Sequence, residues 1–441
     1  MKKALVILLA LVMAASLCAA CGDGGKTSPA PASSNPPAAN TPASKGKAYP
    51  NANPDGSINL DTVAHYDVEY DYTQNPRFKF VYLATENSFL YDMAATAYEH
   101  WAPIFNMEWV GFLAANGDDD MFLTNLQQLI DQGVKGFVLD PNTVIFPACV
   151  EIIEKYPDVK WMSQMAPPRD GATGAGIPIG GNLINPYVGF DNVDAGVQQV
   201  YKLIEWKEAN IPNVPYEQIG IISMGFSTSP PLQERVIGAK QAWDEKGIHA
   251  VEGENYFVVD TSSTGLNLQG GLDAAGPVIS THSQFKNWLV MGLIDDLGQA
   301  AATIIDQQGL TAGSCVVTFG GSGFIAQWDG GQHDACRYAL YTANNLYSEP
   351  IVGAVYAYLM GWATPNTIWP SWIKWDDHGA PPNTYPQLRL PTVWLEEADY
   401  QHYLEWSDLY AKADAYHYNI PGLTLDDYSP FIPVPDDFKK P

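Results

Sequence analysis

The chain has 441 residues, 16% charged and 46% hydrophobic, and its 49 Asp and Glu against 23 Lys and Arg give a formal net charge of −26. Acidic groups dominate the surface. That serves solubility, and it excludes a nucleic-acid partner, which needs clustered Lys and Arg, as well as tight nonspecific docking on anionic lipid.

The first predicted element is a leader. Lys2 and Lys3 precede an apolar run over 4–17 that is too short to span a bilayer, and the small pair Ala19 and Ala20 stands directly before Cys21. A charged start, a short apolar core and small residues at the cut describe a bacterial export signal over 1–20, not a transmembrane anchor. Leu17, Cys18, Ala19, Ala20 and Cys21 resemble a lipobox, with Cys18 where Leu or Val is usual. The resemblance implies diacylglycerol on Cys21; ordinary cleavage and free secretion is the alternative. Two acyl chains anchor stably where one binds only marginally, so the expected location is extracytoplasmic, on the bacterial cell membrane. Residues 22–56 are rich in Pro, Ala, Ser and Asn with almost no large apolar residue, and 21–65 reads as a disordered tether. No later apolar run reaches the roughly 18 residues of a membrane span.

About 375 residues remain, more than one compact core holds and comfortable for two lobes. Strand 78–84, helix 90–104 and strand 107–114 come first. Helix 121–132 follows, with Leu126, Leu129 and Ile130 on one face and Gly133 closing it; then strand 136–139, helix 146–156 and strand 159–163. Asp118, Asp119 and Asp120 lack the alternate spacing of a calcium loop and read as a helix-start turn. The pattern restarts with helix 195–208, strand 218–224, and helix 231–245 with Leu232, Val236, Ala239 and Trp243 on one stripe. Strand 256–259, a helix within 266–286, strand 288–293, helix 297–308 and strand 316–319 complete the second half. Such alternation means βαβ units and parallel sheets with helices on both faces. No short-period repeat is present, which excludes a solenoid.

Once Cys21 is lipidated, Cys149, Cys315 and Cys336 remain in the folded part. Cys315 and Cys336 each begin an apolar run, so both fit one sheet; a disulfide between them and buried free thiols stay open as alternatives. No CxxC or HxxxH spacing supports a zinc site, and no cofactor is implied.

The unit LQQLIDQGVKGFVLDP over 126–141 resembles a helix–strand motif of the type I periplasmic-binding-protein family, specifically the sugar-binding subunits of ABC importers. Other matching pieces are Val188, Gly189, Phe190, Asp191 and Asn192 followed by Ala195 and Gly196; Gln233, Glu234 and Arg235 followed by Gly238; and 288–296 followed by helix 297–308. Their order extends the likeness over residues 76–365. It implies two doubly wound Rossmann-like α/β lobes that close on a solute, joined by three crossings near 190–191, 343–345 and 390–392. Lobe one is then 76–190 plus 346–389. Lobe two is 191–345 plus 390–441, including an aromatic-rich C-terminal extension. The implied partners are a small-molecule ligand, a sugar, and the transmembrane subunits of an ABC permease; the implied protein is not an enzyme.

The chain departs from the family after Gly361, continuing through Trp362, Trp369, Trp372, Trp375, Tyr385, Trp394, Tyr400, Tyr403, Trp406 and Tyr410. Such aromatics serve either sugar stacking or a packed extension that wraps both lobes. Interleaved Pro and turn residues favour packing, with 369–375 a candidate rim.

Sugar recognition needs multidentate polar partners and aromatic faces. In the loop 85–92, Asn87 and Phe89 match an "NPFF"-like segment that stacks on the sugar, Tyr91 supplies a further aromatic, and Asp92 closes the loop. Ser163 and Gln164 stand where sugar binders often have Asp-Arg. Asp191 lies in the motif at the first crossing. Arg235 holds the position of a family arginine that donates to ring or hydroxyl oxygens; the alternative is a surface ion pair with Glu234 or Asp244. Asp295 and Asp296 match the family's strand-end pair, although Ile294 replaces an asparagine there, and Asp295 serves equally as a helix cap. Gly320 replaces an aspartate, with Ser322 or Gln327 as compensating groups, and Asn344 and Asn345 resemble the amide position at the second crossing. Two other functions compete: a surface hydrolase using paired carboxylates, and the same fold serving a nucleoside or signalling molecule. No nucleophile elbow, P-loop or dinucleotide fingerprint supports an enzyme.

Overall fold

Apolar runs bounded by Gly, Asn and Pro form strands, and the apolar stripes between them form the helices that cover those strands. The computed structural model describes residues 48–49, 51–61, 66–165, 168–171, 175–178, 187–365, 367–368, 372–374, 384–389 and 392–412. The leader, Cys18, Cys21, Trp369, Trp375 and Leu390 lie outside these residues, as do the side chains of Trp372, Tyr385, Trp406 and Tyr410.

The first half runs β1 (Phe78–Ala84), α1 (Phe89–Ile104), β2 (Met107–Ala114), α2 (Asp119–Asp131), β3 (Val134–Asp140), α3 (Phe146–Ile153), β4 (Lys160–Met165) and β5 (Tyr187–Gly189). The second runs α4 (Asn192–Asn210), β6 (Ile219–Gly225), α5 (Pro230–Glu245), β7 (Tyr256–Asp260), α6 (Leu268–Thr281), β8 (Asn287–Met291), α7 (Asp295–Gln307), β9 (Cys315–Phe319), α8 (Ser322–Asp329) and β10 (Cys336–Thr342). The chain then adds α9 (Ser348–Leu359), β11 (Trp372–Lys374), β12 (Thr384–Arg389), β13 (Thr392–Glu396) and α10 (Tyr400–Lys412).

Two sheets result, a seven-stranded one ordered β11-β12-β5-β4-β3-β1-β2 and a six-stranded one ordered β13-β10-β9-β8-β6-β7. Pairing is parallel except for β11 on β12 and β13 on β10. Strand alternation sends Val81 and Leu83 to a core with Phe122, Leu126 and Phe146, and sends Phe80 and Tyr82 to the opposite face with Tyr98 and Trp101. The chain leaves the first sheet at Gly189 and enters α4. It returns after Thr342 through a 3-10 turn, Asn344–Tyr347, into α9, and it leaves again from β12 to β13.

Helices α4 and α5 cross at bare backbone. A Cβ on Gly196 would stand 2.0 Å from the Arg235 carbonyl oxygen, and one on Gly238 would stand 1.9 Å from that of Val193. Only glycine permits this approach, and it fixes where Arg235 sits.

Residues 48–49 and 51–61, expected to belong to the tether, join the folded body. Tyr49 is buried against Tyr70 and Trp362, and Asn51 Nδ2 donates to the Trp362 carbonyl at 2.9 Å. An aromatic contact 300 residues away in sequence is invisible to local composition. In the extension, Tyr400 and Tyr403 are buried, and Tyr400 packs on Trp328. Helix α10 accepts from Trp101 Nε1 at Ala411 O (2.5 Å), while its Ser407 hydroxyl meets Tyr341 OH at 2.9 Å and Asn345 Nδ2 at 3.3 Å. Cys149, Cys315 and Cys336 are buried free thiols. Asp118 caps α2 by accepting from Met121 N at 2.8 Å. Among the described residues, no helix is long and apolar enough to cross a membrane.

Candidate ligand cleft

Ligands of parallel sheets bind beyond the C-terminal strand ends. There, between the two sheets, lies a cavity of about 510 Å³. The first sheet supplies Thr85 and Glu86 after β1, Tyr91 from α1, and Asp140 with 141–144 after β3. The second half supplies Asn192, Phe226, Leu232, Arg235 and Leu266.

On the first wall, Asp140 ends β3 and accepts from Gln164, Tyr91 and Tyr82. Gln164 Nε2 stands 3.5 Å from Asp140 Oδ2 and donates to Tyr82 OH, while its Oε1 accepts from Tyr98 OH at 2.7 Å. Burial lifts the Asp140 carboxyl to about 7, the three hydrogen bonds oppose that rise, and neighbouring Glu86 adds to it. Glu86 is itself raised, first by desolvation and then by Asp119 and Asp296.

On the second wall Arg235 is 5% exposed. Its Nε donates to Asn192 Oδ1 at 2.8 Å and its Nη1 to the Leu293 carbonyl at 2.7 Å. The guanidinium lies 3.7 Å from the Phe319 ring centroid and 5.4 Å from that of Phe190. Burial lowers its pKa to about 9, against the pull of Glu234, so it stays charged at neutral pH.

Beside the cavity, Arg169 Nη1 pairs with Glu234 Oε1 at 2.6 Å, with side chains 3% and 13% exposed. Arg169 lies between β4 and β5 and forms an antiparallel bridge with Gly176; nearby, Ile177 packs on the first-sheet core and Gly171 lies against Val144. Glu234 belongs to α5, so the pair ties the two halves together.

Of the residues expected from sequence, Tyr91 and Arg235 line the cavity and Gln164 backs its wall. Asp296 approaches from the second half, close enough to raise Glu86. Asn87 and Asp92 are exposed, and Phe89 is 46% exposed outside the lining. Ser163 is fully buried. Asp191 caps α4, accepting from Asp194 N at 3.0 Å. Both oxygens of Asp295 accept from Gly321 N (3.0 and 2.9 Å) and Oδ2 accepts from Gly323 N at 2.9 Å. Burial still raises Asp295 to about 6. Ser322 opens α8, half-buried. Asn344 accepts from Thr342 Oγ1 at 3.1 Å and Asn345 bonds Ser407, so both amides lie in the second passage and outside the lining. Sequence reasoning missed Asp140, Glu86 and Asn192. The signal for Asp140 was a carboxyl at a strand's C-terminal end, directly before Pro141.

The model of the periplasmic binding protein domain family matches residues 105–332, just over half the chain. An L-arabinose-binding periplasmic protein of an ABC transporter from Azospirillum brasilense is 27% identical over 195 residues, 42% of this chain and 52% of that protein, so the match spans about half of that relative's length. A glucose-galactose binding protein from Geobacillus stearothermophilus superposes with a TM-score of 0.51 at 14% identity, over 74% of this chain and 99% of that one. An ABC-transporter solute-binding protein from Actinobacillus succinogenes with bound D-allose gives 0.52 at 14% identity, over 75% and 100%. One from Agrobacterium vitis bound with α-D-tagatopyranose gives 0.53 at 16%, over 73% and 95%. At these identities the structural likeness speaks for the fold, and with the family match it places the chain: it belongs to the type I periplasmic-binding-protein family.

Proposed function

We propose that this chain is a lipid-anchored, extracytoplasmic solute-binding protein that captures a small carbohydrate between its two lobes and delivers it to an ABC permease. The lobes are 76–190 with 346–389, and 191–345 with 390–441. The observation that carries the reading is the cavity of about 510 Å³ at the strand ends, where a carboxyl, a phenol, an amide and a guanidinium face one another. Each sugar hydroxyl both donates and accepts, and this mixed set answers both roles. Arg235 and Tyr91, with Gln164 behind, form the contact set; Cys21 carries the anchor.

A thermal-shift and calorimetric panel of aldoses, ketoses, inositols and nucleosides tests it. A ligand at 100 times its Kd adds about 2.7 kcal/mol of stability, which a melting curve resolves. Saturable binding of a carbohydrate is expected. Binding of nucleosides alone, or turnover of chromogenic glycosides, would overturn the reading. For the anchor, Cys21→Ala should move the protein from the membrane fraction to the medium.

A further inference from the structure

The charge of the cavity is lopsided. Glu86 and Asp140 both face it from the first half. The groups that bear on Asp140 are Tyr82 from β1, Glu86 from the loop after it, Tyr91 and Tyr98 from α1, Gln164 from β4 and Tyr347 from the second passage. Those that bear on Glu86 are Asp119, Asp296, Asp140 and Tyr91. Every one is an acid, a phenol or an amide, and among the described residues neither carboxyl forms an ion pair with a Lys or Arg. The cation that does line the cavity is turned elsewhere, since Arg235 is held by Asn192, the Leu293 carbonyl and two phenylalanine faces, with Glu234 as its ionic neighbour.

The Tyr347 side chain, in the second passage and outside the lining, is fully buried beside Thr342 and interacts electrostatically with both Asp140 and Arg235.

We propose that the ligand is a polyol bearing an ammonium group, an amino sugar or a polyhydroxylated amine, with its cation between Asp140 and Glu86 and its hydroxyls toward Tyr91 and Arg235. The inference rests on the carbohydrate-binding reading above. A buried carboxylate such as that of Asp140 needs a charged partner, and ammonium-to-carboxylate bonds are about twice as strong as neutral ones. In the free protein the proton fills that place; a cationic ligand would expel it. The affinity of a permanently charged amine should then rise by up to about tenfold between pH 6 and pH 8, as the Asp140 carboxyl passes through its midpoint near 7.

The test is calorimetric titration at pH 6 and 8 with 6-amino-6-deoxy-D-glucose and 6-amino-6-deoxy-D-galactose, whose amines stay charged over most of this range, each beside its neutral parent hexose. Buffers of different ionisation heat count the protons released. At least one amine should bind tenfold or more tightly than its parent, with proton release. Asp140→Asn should abolish that preference and the pH dependence, and exposed Glu86→Gln, which leaves the fold alone, should reduce the preference severalfold. Neutral hexoses binding as well as or better than the amines would overturn this inference and leave the carbohydrate reading standing. If neither class binds, both fall. If an amine binds preferentially and both variants retain the preference, the site assigned to the cation is wrong.

Discussion

Replacing Glu234 by Gln removes one charge from an ion pair that spans the two halves and changes almost nothing in shape. The partners stand 2.6 Å apart, and the Arg169 and Glu234 side chains are 3% and 13% exposed. Removing one partner from a pair that stays buried costs about 3–5 kcal/mol, because a lone charge is left without water. Here Arg169 regains water if the lobes part, so the cost falls on the closed arrangement alone. Allowing for Glu234's partial exposure and the amide's remaining hydrogen bond, about 2 kcal/mol is a reasonable share. Binding to a closed form is weakened by the factor through which that form is depopulated, and 2 kcal/mol is about thirtyfold. Calorimetry with the best ligand of the panel should read that loss. Small-angle scattering of the ligand-free variant should show a larger radius of gyration, with an almost unchanged melting temperature. The double exchange Arg169→Glu with Glu234→Arg should restore most of the affinity. If Glu234→Gln binds and scatters like the parent, the pair is a bystander and the latch argument is wrong.

Three further changes probe other parts of the frame. Gly238→Ala forces a Cβ to within 1.9 Å of the Val193 carbonyl; over-packing of this kind costs about 1–3 kcal/mol, so the melting temperature should fall by several degrees and ligand affinity should fall with it, as Arg235 is displaced. Asp295→Asn should lower the melting temperature and leave affinity within about twofold, because the carboxylate serves Gly321 and Gly323; a tenfold affinity loss without destabilisation would show that it touches ligand. Asp140→Asn should gain stability relative to the parent as the pH rises from 5 to 8 without ligand. A carboxyl raised to about 7 in the fold, against 3.8 as its ordinary value, carries an unfavourable buried charge above pH 7 that vanishes as both states protonate. A melting-temperature difference that stays flat with pH would contradict that burial.

The alternation of strand and helix from Phe78 to Phe319 was legible because each element buries one face and keeps its period; α2, with Leu126, Leu129 and Ile130 inward, is the clearest case. Helix α9 was not, because SEPIVGAVYAYL is buried nearly all round and so shows no stripe. Strand β5, three residues long, falls below any periodic signal. In the cleft, Arg235 and Tyr91 were found from their place in motifs. Phe89 was expected to stack, but α1 begins there and its inward stripe runs through Leu90, Ala94, Ala97, Tyr98 and Trp101, which leaves Phe89 outward. Asp295 read equally as cap or contact. The structure resolves its bonding because Gly320 and Gly321, at φ of +119° and +121°, turn the N–H of Gly321 back onto the carboxylate, a path unavailable to other residues.

Helix α10 bears on how far such a receptor can open. It bonds at one place to Trp101 of α1, on the first sheet, and at another to Tyr341 of β10, in the second, with Asn345 of the connecting turn between them. A rigid rod fastened to both sides of a pivot acts as a check strap: wide rotation strips it from one side, while small rotation about an axis near Ser407 leaves all three bonds intact. The energetically cheap excursions are therefore narrow ones. A ligand arriving at the mouth meets walls already near their final separation, so less configurational freedom is surrendered on capture, and solutes too bulky for that gap are turned away before they enter the cavity.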